Sequence, residues 1–119
     1  MKKVMECVNP IIQLDIPTVD ERRRQVEKNT KTLSEEYYQV MLNRIHSEIN
    51  IAFNNDSYST KHYIKISASI KYPKACHLAS SVIPRVRETI ESELATLGYT
   101  DCEANYDSQT SQVSFIIKY

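Results

Sequence analysis

The feature that most constrains this sequence is a strict alternation of apolar and polar side chains along residues 61–72. Successive side chains of a β-strand point to opposite faces of the sheet. One face would then carry only apolar or aromatic side chains, namely Ile64, Ile66, Ala68, Ile70 and Tyr72. The other face would carry Tyr63, Lys65, Ser67, Ser69 and Lys71. One buried face and one solvated face are typical of an antiparallel sheet, so the alternation predicts a sheet covered on one side only.

A long helical region precedes this strand. Thr18 and Glu21 fit a capping box, in which each side chain satisfies a backbone donor of the first turn. The apolar stripe recurs at spacings of three, four and seven through Val26, Leu33, Tyr37, Val40, Met41, Ile45, Ile49, Ala52 and Phe53. We expect a firm helix over about 34–54, ended by the polar run 54–57. Residues 20–31 either continue this helix or form a separate one that projects into solvent, with a second capping box, Thr32 with Glu35, marking the break.

A second helix follows the strand. It is predicted to begin near Ser80 or Ser81, either of which can cap, with Pro84 in the first turn, where its missing N–H costs nothing. Its buried stripe would be Val82, Val86, Ile90, Leu94 and Leu97. Gly98 is expected in the left-handed conformation that closes a helix, with Tyr99 folding back onto the last turn.

The remaining strands are predicted from shorter sequence patterns. Ile12, Leu14 and Ile16 alternate with polar residues between Asn9-Pro10 and Pro17, which predicts a short strand in an otherwise irregular arm, residues 1–17. The chain would end in a hairpin that places Cys102, Ala104 and Tyr106 on one face with Val113, Phe115, Ile117 and Tyr119, joined by a turn at 107–111. We therefore predict a single α+β domain of two layers over residues 1–119. It would contain an antiparallel sheet of three or four strands with two main helices packed on one face, in the order (β)αβαββ.

Charge and cysteine content narrow the classes of function. The 119 residues carry 15 basic and 15 acidic side chains. A nucleic-acid binder usually shows a basic excess, so binding to a polyanion would need a local patch. The three cysteines lie far apart and cannot all pair within the chain, which favours free thiols in a reducing compartment. The sequence lacks both the apolar run of a signal peptide and that of a membrane span, so we expect a cytoplasmic protein.

No motif for catalysis or metal binding emerges from the residues. His46, His62 and His77 lack the spacing of metal ligands, and Cys76-His77 is an isolated neighbouring pair. A nucleophile and its base are usually assembled from distant segments. We therefore predict no catalytic, cofactor-binding or metal-binding residues, no cofactor, and a protein that is not an enzyme.

Three features are candidates for partner binding. The segment 20–31 carries Arg22, Arg23, Arg24, Lys28 and Lys31, which could contact nucleic acid or an acidic protein, or form a solvated helix start diluted by Glu21 and Glu27. The second helix has Arg85 and Arg87 near its start and glutamates later, against the preference of the helix macrodipole. The solvated sheet face would carry Tyr63, Lys65, Lys71, Asp101, Glu103, Ile116 and Lys118, either paired across strands or open to a partner.

The segment 34–119 resembles small bacteriophage-encoded accessory proteins of mixed α/β type. The resemblance rests on Leu97-Gly98-Tyr99, on Tyr106-Asp107-Ser108 and on the terminal run 115–119. It implies a viral accessory or structural protein that acts by binding, in the host cytoplasm, and it brings no active-site residues.

Three functions follow as hypotheses. The first is a non-enzymatic protein-binding module of the phage type, which docks on and modulates a host or viral protein. The second is a homo-oligomeric structural component. The third is a nucleic-acid-binding protein that uses the basic segment 22–31. No membrane partner is expected.

Overall fold

The structure is a computed structural model that describes residues 11–55 and 58–119. The start of the predicted arm, with Cys7 and Asn9-Pro10, and the last two residues of the 54–57 run lie outside this part. The described residues form two long α-helices and a three-stranded antiparallel sheet, which confirms the α+β class. In chain order the elements are α1 (Val19–Asn55), β1 (Tyr63–Ser69), a 3-10 turn (Cys76–Leu78), α2 (Ala79–Thr96), β2 (Asp101–Asp107) and β3 (Gln112–Lys118).

The sheet has the order β1-β3-β2, so the C-terminal strand is central and the other two are edges. In β1 the alternation is confirmed, because Ile64, Ile66 and Ala68 are buried and their neighbours are exposed. The hairpin is confirmed as well: Ala104 of β2 and Ile66 of β1 both lie opposite Phe115 of β3. The sheet therefore turns one apolar face inward.

Both helices bury most of their predicted stripes against that inner face. Val26 is an exception in α1, because the helix has already left the body there and the side chain is 47% exposed. The buried residues of both helices form one core cluster with the inward apolar residues of β1 and β3. From α1 it takes Tyr37, Met41, Ile45 and Ile49, and from α2 it takes Ala79, Val82, Val86, Ile90 and Leu94. Leu97 was predicted to continue the α2 stripe, but its side chain is 74% exposed because the helix ends at Thr96. The body therefore has two layers, with both helices on one face of the sheet and the other face uncovered.

The start of α2 differs from the prediction. The helix begins at Ala79, directly after the 3-10 turn, and no side chain caps it. Neither serine acts as the cap, and the Ser81 hydroxyl instead donates to the Leu78 carbonyl at 2.9 Å. Pro84 consequently lies in the second turn and not in the first. In the second turn its missing N–H removes one intrahelical hydrogen bond. The 3-10 turn runs directly into α2, so the helix begins earlier in the chain than predicted. No pattern in the sequence indicates this turn.

The end of α2 follows the prediction. Gly98 has φ of 95°, a left-handed conformation that favours glycine. Its N–H donates to the Ala95 carbonyl at 3.0 Å, and the Tyr99 N–H donates to the Leu94 carbonyl at 2.9 Å. These two bonds satisfy carbonyls that the last turn would otherwise leave free.

In α1 the two alternatives for residues 20–31 are resolved in favour of one continuous helix of 37 residues. The capping box is present: Glu21 N–H donates to Thr18 Oγ1 at 3.3 Å, and Thr18 N–H donates to Glu21 Oε2 at 3.4 Å. The second box is absent, because the Thr32 hydroxyl donates to the Lys28 carbonyl at 3.1 Å within the helix. Every residue from Val19 to Thr32 is exposed, so this half of α1 projects from the body.

The described part of the arm, Ile11–Pro17, contains neither helix nor strand, so the predicted strand is absent there. Its four aliphatic side chains, Ile11, Ile12, Leu14 and Ile16, are 92%, 91%, 87% and 72% exposed. The arm precedes a helix that carries it away from the body, which explains the missing pairing. The molecule is accordingly elongated, with a radius of gyration of 23.7 Å and extents of 90 × 25 × 21 Å. A compact domain of this length would have a radius of gyration of about 13–14 Å.

Candidate protein-binding surfaces

The groups that could have served catalysis lie apart from one another. His46 Nε2 lies 2.7 Å from Glu93 Oε2, which joins α1 to α2. His62 lies just before β1, while Cys76 and His77 are exposed on the 3-10 turn. Within residues 11–55 and 58–119, no group of three or more His, Cys, Asp or Glu side chains is placed to hold a metal ion. Nor does any helix of this part have the length and apolar character needed to cross a membrane.

The thiol of Cys102 lies in an acidic neighbourhood on β2. Burial raises its pKa above the ordinary value, and the negative charges of Glu91, Asp101 and Glu103 raise it further. A thiol with a raised pKa forms little thiolate, which is the nucleophilic species. Cys102 and Cys76 are both free. The geometry at Cys102 is therefore that of a half-buried structural thiol beside an acidic surface.

The basic segment lies entirely on the projecting half of α1. Successive residues of a helix point about 100° apart, so Arg22, Arg23 and Arg24 face three directions rather than one. Arg24, Lys28 and Lys31 are spaced by four and three residues and share one side of the helix. These three side chains, named here the cationic stripe, are all exposed.

The contacts of the three arginines are local. Arg22 Nη1 donates to Gln25 Oε1 at 3.4 Å, and Arg24 Nε donates to the Asp20 carbonyl at 3.4 Å. Arg23 lies 3.9 Å from Asp20 Oδ1, with both side chains largely in solvent. Such exposed pairs contribute little to stability. Each of these contacts lies within the segment itself, so none of them joins it to the body.

The side of the projection opposite the cationic stripe carries a narrow apolar seam. Val19, Val26 and Leu33 recur every seven residues, and they lie about 180° around the helix from Arg24, Lys28 and Lys31. Val19 and Val26 are both exposed, and Leu33 is half-buried where the projection meets the body. Helices that pack side by side in a coiled coil use two apolar positions in every seven residues, and this seam supplies one.

Arg85, one of the predicted partner-binding residues, is engaged within the chain. Its guanidinium makes two bonds to the Glu35 carboxylate, at 2.8 and 3.2 Å, and lies 4.0 Å from the Tyr38 ring centroid. The Tyr38 hydroxyl in turn lies 2.6 Å from Thr89 Oγ1. The hydrogen bond from Arg85 holds the pKa of the Glu35 carboxyl below its ordinary value. This side chain therefore joins α1 to α2, which gives the unusual charge order of α2 a structural reason.

Arg87, its neighbour, lies on a different side of α2. Its Nε is 3.8 Å from Glu91 Oε1, one turn further along the helix. It also lines a cleft beside β2, described below. The two arginines that the sequence grouped together thus serve different surfaces.

The outer face of the sheet brings several predicted residues into register. Lys65 of β1, Ile116 of β3 and Glu103 of β2 lie in one row across the three strands. In the next row Tyr63 of β1 lies opposite Lys118 of β3, whose Nζ is 2.9 Å from Glu103 Oε1. The outward side chains of β1 and β2 are exposed, and Ile116 is half-buried between them.

Charges on this outer face are sorted by strand. The β1 side carries Lys65 and is flanked by Lys61 and Lys71. The β2 side carries only acidic or neutral outward residues, which are Asp101, Glu103, Asn105 and Asp107. Lys61 Nζ also lies 5.6 Å from the Tyr63 ring centroid. The face therefore offers a partner a positive side and a negative side, with one apolar side chain, Ile116, between them.

Two clefts that sequence reasoning missed lie between α2 and the β2 edge. The first, of about 130 Å³, is lined by Ile83, Val86 and Arg87 of α2 and by Ala104 and Tyr106 of β2, with core residues at its floor. The second, of about 270 Å³, is lined by Glu91, Ala95, Tyr99, Thr100 and Cys102. The small inward residues of β2 indicate these clefts in the sequence. Cys102 and Ala104 fill less space than the isoleucines and phenylalanine that point inward from the other strands.

Comparison of the chain with protein-family models, with curated proteins and with solved structures finds no match in any of the three. The resemblance to small phage accessory proteins stays a prediction, and the function is argued from the surfaces themselves.

Proposed function

We propose that the protein is a non-enzymatic protein-binding module of the phage accessory type, which docks on and modulates a host or viral protein in the host cytoplasm. The observation that carries the proposal is the outer face of the sheet. The helices cover one face only, and the other presents Lys65, Ile116 and Glu103 in one row with charge sorted from positive to negative.

The partner is expected to carry the opposite order of charges. An acidic region would lie against Lys65 and its flanking lysines, and a basic region would lie against the outward acids of β2. Complementary charges of this kind orient an encounter and speed association. Tyr63 and Ile116 would supply the apolar contact, since aromatic and apolar anchors near the centre of an interface carry much of the binding energy.

The test is affinity capture from the native host, followed by measurement with the purified partner. The docking variants are Tyr63→Ala and Lys65→Glu, and the matched control is Lys28→Glu, which makes the same change of charge on the projecting helix. We expect the wild type and the control to retain one stoichiometric protein, and the docking variants to bind it at least about tenfold more weakly. Equal binding by all four proteins would refute this docking surface, and turnover of a small molecule would refute the non-enzymatic role.

Nucleic-acid binding is the second candidate, and the cationic stripe is the observation that favours it. Arg24, Lys28 and Lys31 form a row of exposed charge that could follow a phosphate backbone. Binding through this stripe would weaken steeply as salt rises, and Lys28→Glu would reduce it while Lys65→Glu would not. Filter binding of nucleic acid across a salt series tests this function. If the filter retains no nucleic acid, or if retention does not depend on salt, nucleic-acid binding through the stripe is rejected.

A further inference from the structure

The sheet is one strand too narrow for the helices that cover it. An α-helix with its side chains is about 10 Å wide, and neighbouring strands lie about 4.8 Å apart. Two helices side by side therefore cover about four strands, while the described chain supplies three. Clefts open at both edges of the sheet. The cleft of about 410 Å³ between α1 and β1 is lined mainly by charged and hydroxyl side chains. The two clefts between β2 and α2 expose small and apolar residues of β2, so an added apolar strand fits the β2 edge.

The β2 edge has backbone groups ready to pair with another strand. In β1 the even-numbered residues bond to β3, since the His62 carbonyl accepts from Tyr119 N–H and Ile70 N–H donates to the Ser111 carbonyl. With the observed registers, antiparallel alternation then directs the odd-numbered residues of β2 toward β3. The N–H and C=O groups of Cys102, Ala104 and Tyr106 consequently point to the open edge. An edge of this kind is a template for strand addition.

The clefts also match the side chains that an added strand would bring. Thr100 and Cys102 border one cleft, and Ala104 and Tyr106 border the other, so the two openings follow each other along the strand. A strand beside β2 would direct every second side chain inward, beneath α2. An added strand would therefore fill the clefts if it carried an apolar residue at every second position.

The arm carries that pattern, and it cannot reach the site in its own molecule. Met41, at the floor of the first cleft, lies about 33 Å along α1 from Val19. Ile16 is only three residues from Val19, a span of at most about 11 Å even when fully extended. Because α1 is continuous, Ile12, Leu14 and Ile16 stay exposed in the single chain. A second molecule removes this limit.

Charge favours the same pairing between two molecules. The projection, residues 19–32, carries five basic and three acidic side chains. The cleft side of the body carries three carboxylates, Glu91, Asp101 and Glu103, close enough to Cys102 to act on its thiol. Arg87 and Lys118 pair with two of them, which leaves one negative charge in excess. An arm seated beside β2 would bring the start of the projection, with its three consecutive arginines, against these carboxylates. Opposite charges on two facing segments steer them together.

We infer that residues 12–16 of a second copy of this chain add to the β2 edge as the fourth strand, with Ile12, Leu14 and Ile16 directed into the clefts beneath α2. Reciprocal exchange closes a two-fold dimer. The β1 side of the outer face, with Tyr63 and Lys65, stays free, so the arm variants below and the docking variants proposed above test different surfaces.

Light scattering with matched arm variants tests the inference. The wild type should have twice the 13.8 kDa mass of one chain, in equilibrium with the monomer on dilution. The variant Leu14→Ser/Ile16→Ser should raise the dissociation constant at least tenfold, while the control Gln13→Ser, directed to the outer face, should change it less than threefold. At concentrations where all three proteins are monomeric, neither variant should alter the unfolding of the body, because Leu14 and Ile16 are exposed in the single chain. A wild-type protein that stays monomeric at every concentration overturns the inference.

Disulfide trapping locates the arm. In a Cys7→Ser/Cys76→Ser background, Ile12→Cys, Leu14→Cys and Ile16→Cys are introduced one at a time, leaving Cys102 as the only other thiol. At least one should form an intermolecular disulfide with Cys102 on mild oxidation, whereas Gln13→Cys, on the opposite face, should not. Trapping of Gln13→Cys alone, or of none of the four, contradicts the proposed strand.

The charge of Asp15 distinguishes the two edges of the sheet. Beside the acidic β2, Asp15→Lys should tighten the dimer severalfold, because it replaces a repulsion by an attraction. Beside β1, with Lys65 outward, the same change should weaken it. Weakening would therefore reject the β2 edge, even if the dimer itself exists.

Discussion

The two halves of α1 belong to one unbroken helix, yet they are held by different interactions. Residues 33–55 place Tyr37, Met41, Ile45 and Ile49 in the core against the sheet and α2. Residues 19–32 are exposed throughout and make only local contacts. An isolated helix of about 14 residues is marginal in water, since most helical stability in proteins comes from packing. Continuity of a helix is thus no guide to how its stability is distributed.

Polar contacts repeat the same division. From the second half, Arg44 Nη1 donates to the Lys71 carbonyl at 2.7 Å, and Glu35 and His46 pair with Arg85 and Glu93 of α2. Each of these contacts joins residues more than twenty positions apart in the chain. In the first half the contacts join residues three or four positions apart. The second half belongs to the folded body, and the first is free to serve another molecule.

The largest expected difference between the halves comes from truncating one apolar side chain in each. Ile45→Ala leaves a cavity in the core and should lower the free energy of unfolding by about 2–5 kcal/mol. Val26→Ala, in the projection, should change it by less than about 0.5 kcal/mol. Urea unfolding of both variants checks this. Comparable losses would mean that the projection is part of the cooperative body.

A smaller effect is expected from the one buried hydroxyl of the second half. Tyr37 Oη donates to the Ile70 carbonyl at 2.6 Å, and burial raises the pKa of this tyrosine. Tyr37→Phe removes the donor and leaves the carbonyl unpaired, so it should lower the free energy of unfolding by about 1–2 kcal/mol. Tyr58→Phe, at an exposed position, is the control and should change nothing measurable. A neutral Tyr37→Phe would show that the carbonyl finds another partner.

The capping box should matter only to the first half. Thr18→Ala removes the acceptor of the Glu21 N–H, a loss of about 1 kcal/mol for the local helix. We expect lower helical ellipticity in the monomer and an unchanged unfolding midpoint of the body. A shift of the midpoint that matches the loss of ellipticity would indicate that both halves unfold together.

The smallest effect is a pH dependence of the contact between α1 and α2. Since Arg85 lowers the pKa of Glu35 in the folded protein, the pair stabilises the fold above the ordinary pKa of glutamate, and this contribution is lost as pH falls through the lowered value. Glu35→Gln should therefore lower the melting temperature slightly at neutral pH and not at all in acid. Glu27→Gln, on the projection, should leave the melting temperature unaltered at both. A pH-independent difference for Glu35→Gln would contradict the role of charge.

Much of the body could be predicted because its signals are local. The alternation in β1 and the glycine that ends α2 each act over a few residues. The start of α2 could not be placed, because a 3-10 turn without a capping side chain leaves no mark in the sequence. The strand predicted at 12–16 carries the right pattern, but a pattern does not say which molecule supplies the neighbouring strand. The contact of Arg85 with Glu35 joins residues fifty positions apart and depends on how α1 and α2 pack.

Amide hydrogen exchange along α1, measured across a dilution series, tests the central claim most directly. Residues 37–49 belong to the body, and we expect residues 19–31 to be stabilised only by another molecule. At low protein concentration the first segment should exchange slowly and the second close to the unprotected rate. At high concentration only the second should gain protection. Equal, slow exchange in both segments at every concentration would contradict the account.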